Sequence, residues 1–236
     1  MSRNFIFHLF FLLLNSTHVF AKGCDENDLF IKFGFLNLKP NTHSGTLHQS
    51  YYNGQSTGIN NTGVKVGSSS TAQLSIGKKI SGNIYFEIMS GLPPTFKVTG
   101  DKRISNLGHI VKTQAWLPTF ISSYHFGNEG DVFRPYFSLG VNYTWFKRSH
   151  LTNDKLDAAL GGNSSVEIKD SWSAVYGGGV KINLTDNTGL DFSFMYIPLN
   201  VKGYIYNGKK NYPSDYLDLK TKLNITATSL TLYYDF

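Results

Sequence analysis

Eight stretches of this 236-residue chain alternate apolar and polar residues with a period of two, and none shows the 3.6-residue period of a helix. The clearest runs from Pro135 to Trp145. There Phe137, Leu139, Val141, Tyr143 and Trp145 fall on one face, and Ser138, Gly140, Asn142 and Thr144 on the other. The other seven cover residues 29–36, 71–77, 84–89, 119–126, 175–182, 190–196 and 229–236. In a soluble sandwich the apolar face packs inward and the polar face meets water. Here 15% of the residues are aromatic, so the apolar faces are too bulky for a sandwich core, and the opposite faces are small and polar. Both observations are met if the apolar faces meet lipid and the Ser, Gly, Asn and Thr faces line a narrow interior. Closure then leaves no unpaired edge in the membrane. The expected fold is all-β: an eight-stranded antiparallel transmembrane β-barrel.

The connections point the same way. Ser81 to Asn83, Gly127 to Phe133 and Thr185 to Gly189 are short and turn-like, whereas residues 40–70, 93–106, 147–170 and 198–218 are long and polar. Short and long connections alternate strictly, as periplasmic turns and external loops do in outer-membrane barrels. The start of the chain fits export. Arg3 precedes an apolar run from Phe5 to Leu14, and Val19 to Ala21 follows as a cleavage region. That run is half the roughly 20 residues a spanning helix needs. The expectation is a signal peptide over residues 1–21 and a barrel domain over residues 22–236. Cys24 has no partner for a disulfide; Ala21 to Cys24 also suggests a lipoprotein processing site, which Lys22 fits badly. The net charge of +6 suits an anionic envelope surface better than nucleic acid.

The last segment alternates to its final residue, with Leu230, Leu232, Tyr234 and Phe236 on one face. A last strand that zips onto the first inside a membrane must stay in register to its end. This pattern reads as the signal that outer-membrane barrels present to the barrel assembly machinery.

Several segments, taken in order, resemble the outer membrane protein W family of small Gram-negative barrels. They are residues 29–40, Ile84 to Met89 with Leu92 to Thr95, Leu117 to Phe126, Arg134 to Tyr143, Asp170 to Trp172 leading to Gly179 and Val180, and the final Tyr234 and Phe236. The chain departs from the family in having only Leu117-Pro118 where a doubled proline is common, and residues 147–170 match no family pattern. The resemblance implies a monomeric barrel that passes small hydrophobic compounds through the outer membrane of a Gram-negative bacterium.

With a periplasmic amino terminus, the residues facing the lumen divide by height. Lys32, Lys79, Glu87, Lys181, Asp191 and Asp235 fall in the periplasmic half, with His125. Leu36, Leu38, Met89, Phe146, Met195, Ile197 and Ile225 fall in the outer half. The lower set reads as a charge-paired plug and the upper as an apolar funnel. A structural or adhesive barrel that fills its lumen with whatever fits is the alternative. Pro118 lies inside the fourth strand, and Pro93 and Pro94 interrupt the third, beside Trp116 and Leu117 at the expected funnel wall. A proline donates no ladder hydrogen bond. Both defects on one seam would make a side exit, a gap that the resemblance also implies; the missing Pro118 donor could instead face the fifth strand. A lipid-modifying barrel enzyme is the remaining alternative, and the chemistry for it is sparse. His125 is opposite Asp191 or Asp235 at best with no nucleophile, Ser149 and His150 sit in an expected loop, and His43 and His48 match no metal-ligand spacing. The Asn142 and Asn163 glycosylation matches are chance in a bacterium. No catalytic residue, metal or cofactor is expected. Lys97, Lys102, Arg103, Lys147, Arg148, Lys209 and Lys210 would attract lipopolysaccharide, or simply keep the loops solvated.

Deleting Phe236 should lower the folded amount in the outer membrane while leaving refolding in detergent nearly intact. Quantitative blotting of outer-membrane fractions checks this; wild-type levels of the deletion variant would refute it.

Overall fold

The computed structural model describes residues 28–51, 55–207 and 215–236. The expected leader over residues 1–21, Cys24, Lys209 and Lys210 lie outside the described residues. From the amino end, β1 (Leu29–Ser44) is followed by the short strands β2 (Leu47–Ser50), β3 (Ser56–Ile59) and β4 (Thr62–Val66), then by β5 (Ser69–Ser81). The third wall strand comes in two pieces, β6 (Ile84–Gly91) and β7 (Thr95–Lys102), and so does the fourth, β8 (His109–Trp116) and β9 (Thr119–His125). β10 (Phe133–Leu151), a short helix α1 (Asp154–Ala159), β11 (Ser165–Ile168), β12 (Ser171–Asn183), β13 (Thr188–Tyr206) and β14 (Tyr216–Asp235) complete the chain.

Eight positions close a ring. β1 pairs β5, then β6, β9, β10, β12, β13 and β14 follow as neighbours, and β14 returns to β1, all antiparallel. The closing seam runs from Phe30↔Asp235 to Ser44↔Thr221. It needs a glycine, since a Cβ at Gly34 would collide with the Leu230 carbonyl. At the periplasmic end the Phe236 N–H donates to the Leu29 carbonyl (2.9 Å), so the ring is tied to its last residue.

The long segments expected to be polar loops are corrected by the structure: residues 40–70, 93–106 and 198–218 are mostly strand, and residues 147–170 hold the end of β10, α1 and β11. β1, β10, β13 and β14 run on past the bilayer, and β4, β7 and β8 pair into the same wall. The physical reason is an inversion of polarity within a single strand. On β1 the outward Leu29, Ile31, Phe33 and Phe35 give way to Asn37 and Lys39, while the inward side passes from Lys32 and Gly34 to the buried Leu36 and Leu38. Above the membrane the outside meets water and the inside becomes apolar. The period of two continues, but the apolar face changes sides. His43, His48, Ser149 and His150 accordingly lie on β1, β2 and β10 rather than in loops.

The extension is also closed by side chains. The Val64 N–H donates to Ser44 Oγ (2.9 Å) and the Val66 N–H to Thr42 Oγ1 (3.0 Å), so two β1 hydroxyls substitute for ladder carbonyls where β4 meets β1.

Gly34→Val should abolish closure of the β1/β14 seam. A Cβ at Gly203, in the extension, would meet no atom within 4 Å, so Gly203→Ala should leave the barrel intact. Heat-modifiable gel migration of both variants, refolded in detergent, distinguishes the two outcomes.

Candidate functional site

The outer half of the lumen is an outward-opening funnel of about 930 Å³. Phe96, Val98, Ile110, Val111, Val201 and Leu219 line it, each at an inward position of a strand extension. Phe146 and Ile225 also line it. Leu36, Leu38, Met89, Met195 and Ile197 sit deeper, buried and packed with Ile225 and Ala227 as an apolar floor. The residues expected to form the funnel thus make its base and lower wall. Its upper wall was hidden in segments too polar on average to read as barrel. At the rim Tyr206 donates to Glu167 (3.1 Å), and burial beside that carboxylate pushes the phenol up to about 12, so the donor keeps its proton at neutral pH.

Beneath the floor the lumen is filled by paired charge. Lys32 donates to Glu87 (2.8 Å) and Asp191 (3.2 Å), and the Tyr136 hydroxyl donates to the second Asp191 oxygen (2.9 Å). Lys181 donates to Asp235 (2.7 Å), with its ammonium 4.0 Å from the centre of the Tyr233 ring. Lys79 stands apart from this cluster, pairing with Glu129 of the β9–β10 turn at the periplasmic rim. His125 is a correction: it lies between the rings of Tyr85 (4.2 Å) and Tyr136 (4.6 Å), with Ser123 Oγ on Nε2 (3.1 Å), and not against Asp191 or Asp235. The reason is size, since a lumen this narrow stacks its rings.

Sequence reasoning missed Arg134, Tyr85 and Tyr136. Arg134 is 1% exposed and donates to the Tyr85 hydroxyl and to Asn83 Oδ1, each at 3.0 Å. Parity along β10 would have found both Arg134 and Tyr136, which share the inward register of Ser138. Gly179 makes room for Tyr136, as a Cβ there would come within 2.6 Å of its hydroxyl. Asn142 is not a surface sequon residue but is fully buried, donating to Thr119 Oγ1 (2.9 Å) and accepting from the Thr144 hydroxyl (2.6 Å).

The prolines of the third and fourth strands do not place their missing donors on one seam. The Tyr143 N–H donates to the Pro118 carbonyl (3.1 Å), so the donor that Pro118 lacks faces β10. The Ala115 N–H donates to the Pro94 carbonyl (3.1 Å), so the donor that Pro94 lacks faces β8. Pairing of β6 with β9 ends at Met89↔Thr119, leaving Pro93 in the break before β7. The defects therefore flank residues 115–118 on both sides. Leu117 lines the funnel, whereas Trp116 is exposed on the outer face and stacks on Trp145, correcting its expected place at the funnel wall. Strand alternation forces this, because Ala115 and Leu117 take the inward positions. Leu230, Leu232, Tyr234 and Phe236 are exposed on the outer face near the periplasmic end.

The sequence model of the OmpW family matches residues 25–236. Outer membrane protein W of Vibrio cholerae is 30% identical over 184 residues, which is 78% of each chain. Outer membrane protein AlkL of Ectopseudomonas oleovorans is 28% identical over 179 residues, 75% of this chain and 71% of that one. The crystal structure of the outer membrane protein OprG from Pseudomonas aeruginosa superposes with a TM-score of 0.75 at 20% identity, covering 91% of this chain and 98% of OprG.

Lys32→Met would leave Glu87 and Asp191 buried without their cation, which should destabilise the barrel by about 3–5 kcal/mol. Lys32→Met/Glu87→Gln/Asp191→Asn should recover most of that loss. Urea unfolding of refolded protein, followed by gel migration, checks both.

Proposed function

The chain belongs to the OmpW family of outer-membrane barrels and lies in the outer membrane of a Gram-negative bacterium; from this premise we propose that it passes small hydrophobic compounds inward, passively and without altering them. The observation that carries this reading is the apolar, outward-opening funnel set on a plug of buried charge. An apolar solute entering from water gains about 25 cal/mol for each Å² it buries against these walls. Going straight down would mean separating Lys32 from Glu87 and Asp191, and charges taken from both their partners and water are costly. The solute therefore leaves sideways into the bilayer, past Leu117 and the stretch of the fourth strand flanked by Pro94 and Pro118. Each of these prolines leaves one backbone bond unmade, which lowers the cost of opening the wall at that place.

The same reading assigns roles at the closing strand. The outward row Leu230, Leu232, Tyr234 and Phe236 is presented to the barrel assembly machinery, and the barrel works as a monomer, a reading that rests on the family resemblance and is compatible with a ring closed within one chain.

Uptake of a small apolar compound should be highest in cells carrying the wild type, reduced with Pro118→Ala, and lowest with no protein. Equal uptake in all three would remove transport and favour a structural or adhesive barrel. Loss without the protein but wild-type uptake with Pro118→Ala would remove only the side exit at that strand.

A further inference from the structure

We propose that the outer wall of β7, β8 and β10 is a binding site for the phosphorylated disaccharide head of lipid A, the glycolipid of the outer leaflet. The observation behind this is a row of opposed basic side chains set directly above stacked tryptophans, a combination that the opposed Lys202↔Lys220 pair of the far wall lacks. Lys97 is directly opposite Lys112, and Lys112 directly opposite His150, so three basic side chains stand abreast on three adjacent strands, all exposed. Directly opposed like charges destabilise a sheet. Among the described residues no carboxylate pairs with Lys97, Lys112 or Lys147. The next outward row toward the membrane holds Lys147 opposite Gln114, whose side-chain oxygen accepts from Arg148 at 3.4 Å. These rows therefore offer an anionic ligand three ammonium groups that no carboxylate of the described residues engages.

The row below supplies the second half of the site. Trp116 and Trp145 are cross-strand partners with rings stacked 5.9 Å apart at 10°, and the series continues through Tyr143 (5.5 Å from Trp145) to Trp172 (4.6 Å from Tyr143). The chain has three tryptophans: Trp116 and Trp145 are on this wall, and Trp172 is on the adjoining β12, opposite Tyr143 of β10. An interfacial girdle alone would spread them around the barrel. On the far wall the corresponding outward positions are Tyr196, Thr226 and Lys39.

The heights match an amphiphile with a flat sugar head. Acyl chains lie along the outward Phe120, Leu139 and Val141, and a sugar ring lies at the stacked indoles. Lys147 is two residues above Trp145 and Lys112 four above Trp116, or roughly 7 and 13 Å along strands rising about 3.3 Å per residue. That is where phosphates on the sugar, and acidic sugars attached to it, stand. The geometry revises the expected lipopolysaccharide contacts: Lys97, Lys147 and Arg148 belong to the site, while Lys102 and Arg103 lie at the far end of β7, beyond this row.

Native mass spectrometry of the whole barrel in detergent, with diphosphorylated lipid A as probe, tests the assignment. Its controls are the same lipid stripped of phosphate, and phosphatidylglycerol. Wild type should bind the diphosphorylated form at least about tenfold tighter than either control, since each lysine near an anionic surface is worth roughly fivefold. Lys97→Gln/Lys112→Gln/Lys147→Gln should erase that preference, and Trp116→Leu should weaken binding of both lipid A forms. Lys202→Gln/Lys220→Gln removes an opposed lysine pair from the far wall and should change nothing. Heat-modifiable migration confirms folding, and Lys112→Gln alone serves if the triple variant does not fold. Undiminished preference in the lysine variants, equal loss from the far-wall variant, or equal affinity for phosphatidylglycerol would each overturn the site.

Discussion

Hydrocarbon offers no partner to a backbone N–H or C=O, so every such group within the bilayer must be paired inside the protein. A single chain of strands meets this demand only by returning its last strand to its first. The β1/β14 seam is therefore the interaction on which the rest depends. Gly34 brings the two backbones close enough to bond, and the Phe236 N–H finishes the ladder on Leu29. Eight strands also fix the width of the ring. The lumen is just wide enough for side chains to fill, so whatever faces inward must pack.

That packing requirement explains why the two halves of the lumen differ. Near the periplasm the inward residues are charged or aromatic, and they fill the space by pairing and stacking: Lys32 with Glu87 and Asp191, Tyr136 on Asp191, His125 between two tyrosines. Nearer the surface the inward residues are apolar and the barrel extends into water, where the outward face turns polar. A funnel open to the outside follows, because apolar walls cannot bond across the space they enclose. The plug beneath it has the opposite character, and the boundary between them is the buried layer of Leu36, Leu38, Met89, Met195 and Ile197.

The fourth strand is where this architecture meets its surroundings on both sides. Inside, Leu117 faces the funnel next to two prolines that leave bonds unmade. Outside, Trp116 stacks on Trp145 beneath a row of uncompensated basic side chains. The proposed side exit and the proposed lipid A site share the same few residues, so a lipid bound there would be the neighbour of any solute that left.

The sequence by itself determined the barrel, its eight wall strands, its orientation of short turns and the division of the lumen into charged and apolar halves. The strands and the division of the lumen follow from a period of two, which fixes which face each side chain takes, and the placement of the turns from the alternation of short and long connections. It did not determine how far the strands run, because the signal sought was an apolar outward face, and above the membrane that face becomes polar while Val64, Phe96, Ile110 and Leu219 carry the apolar pattern inside. Nor did it settle which neighbour a proline faces, whether Trp116 looks in or out, or that Lys97, Lys112 and His150 stand abreast. Those depend on register between strands distant in sequence. Register is set by closure of the whole ring, and a shift of one residue exchanges the two faces of a strand.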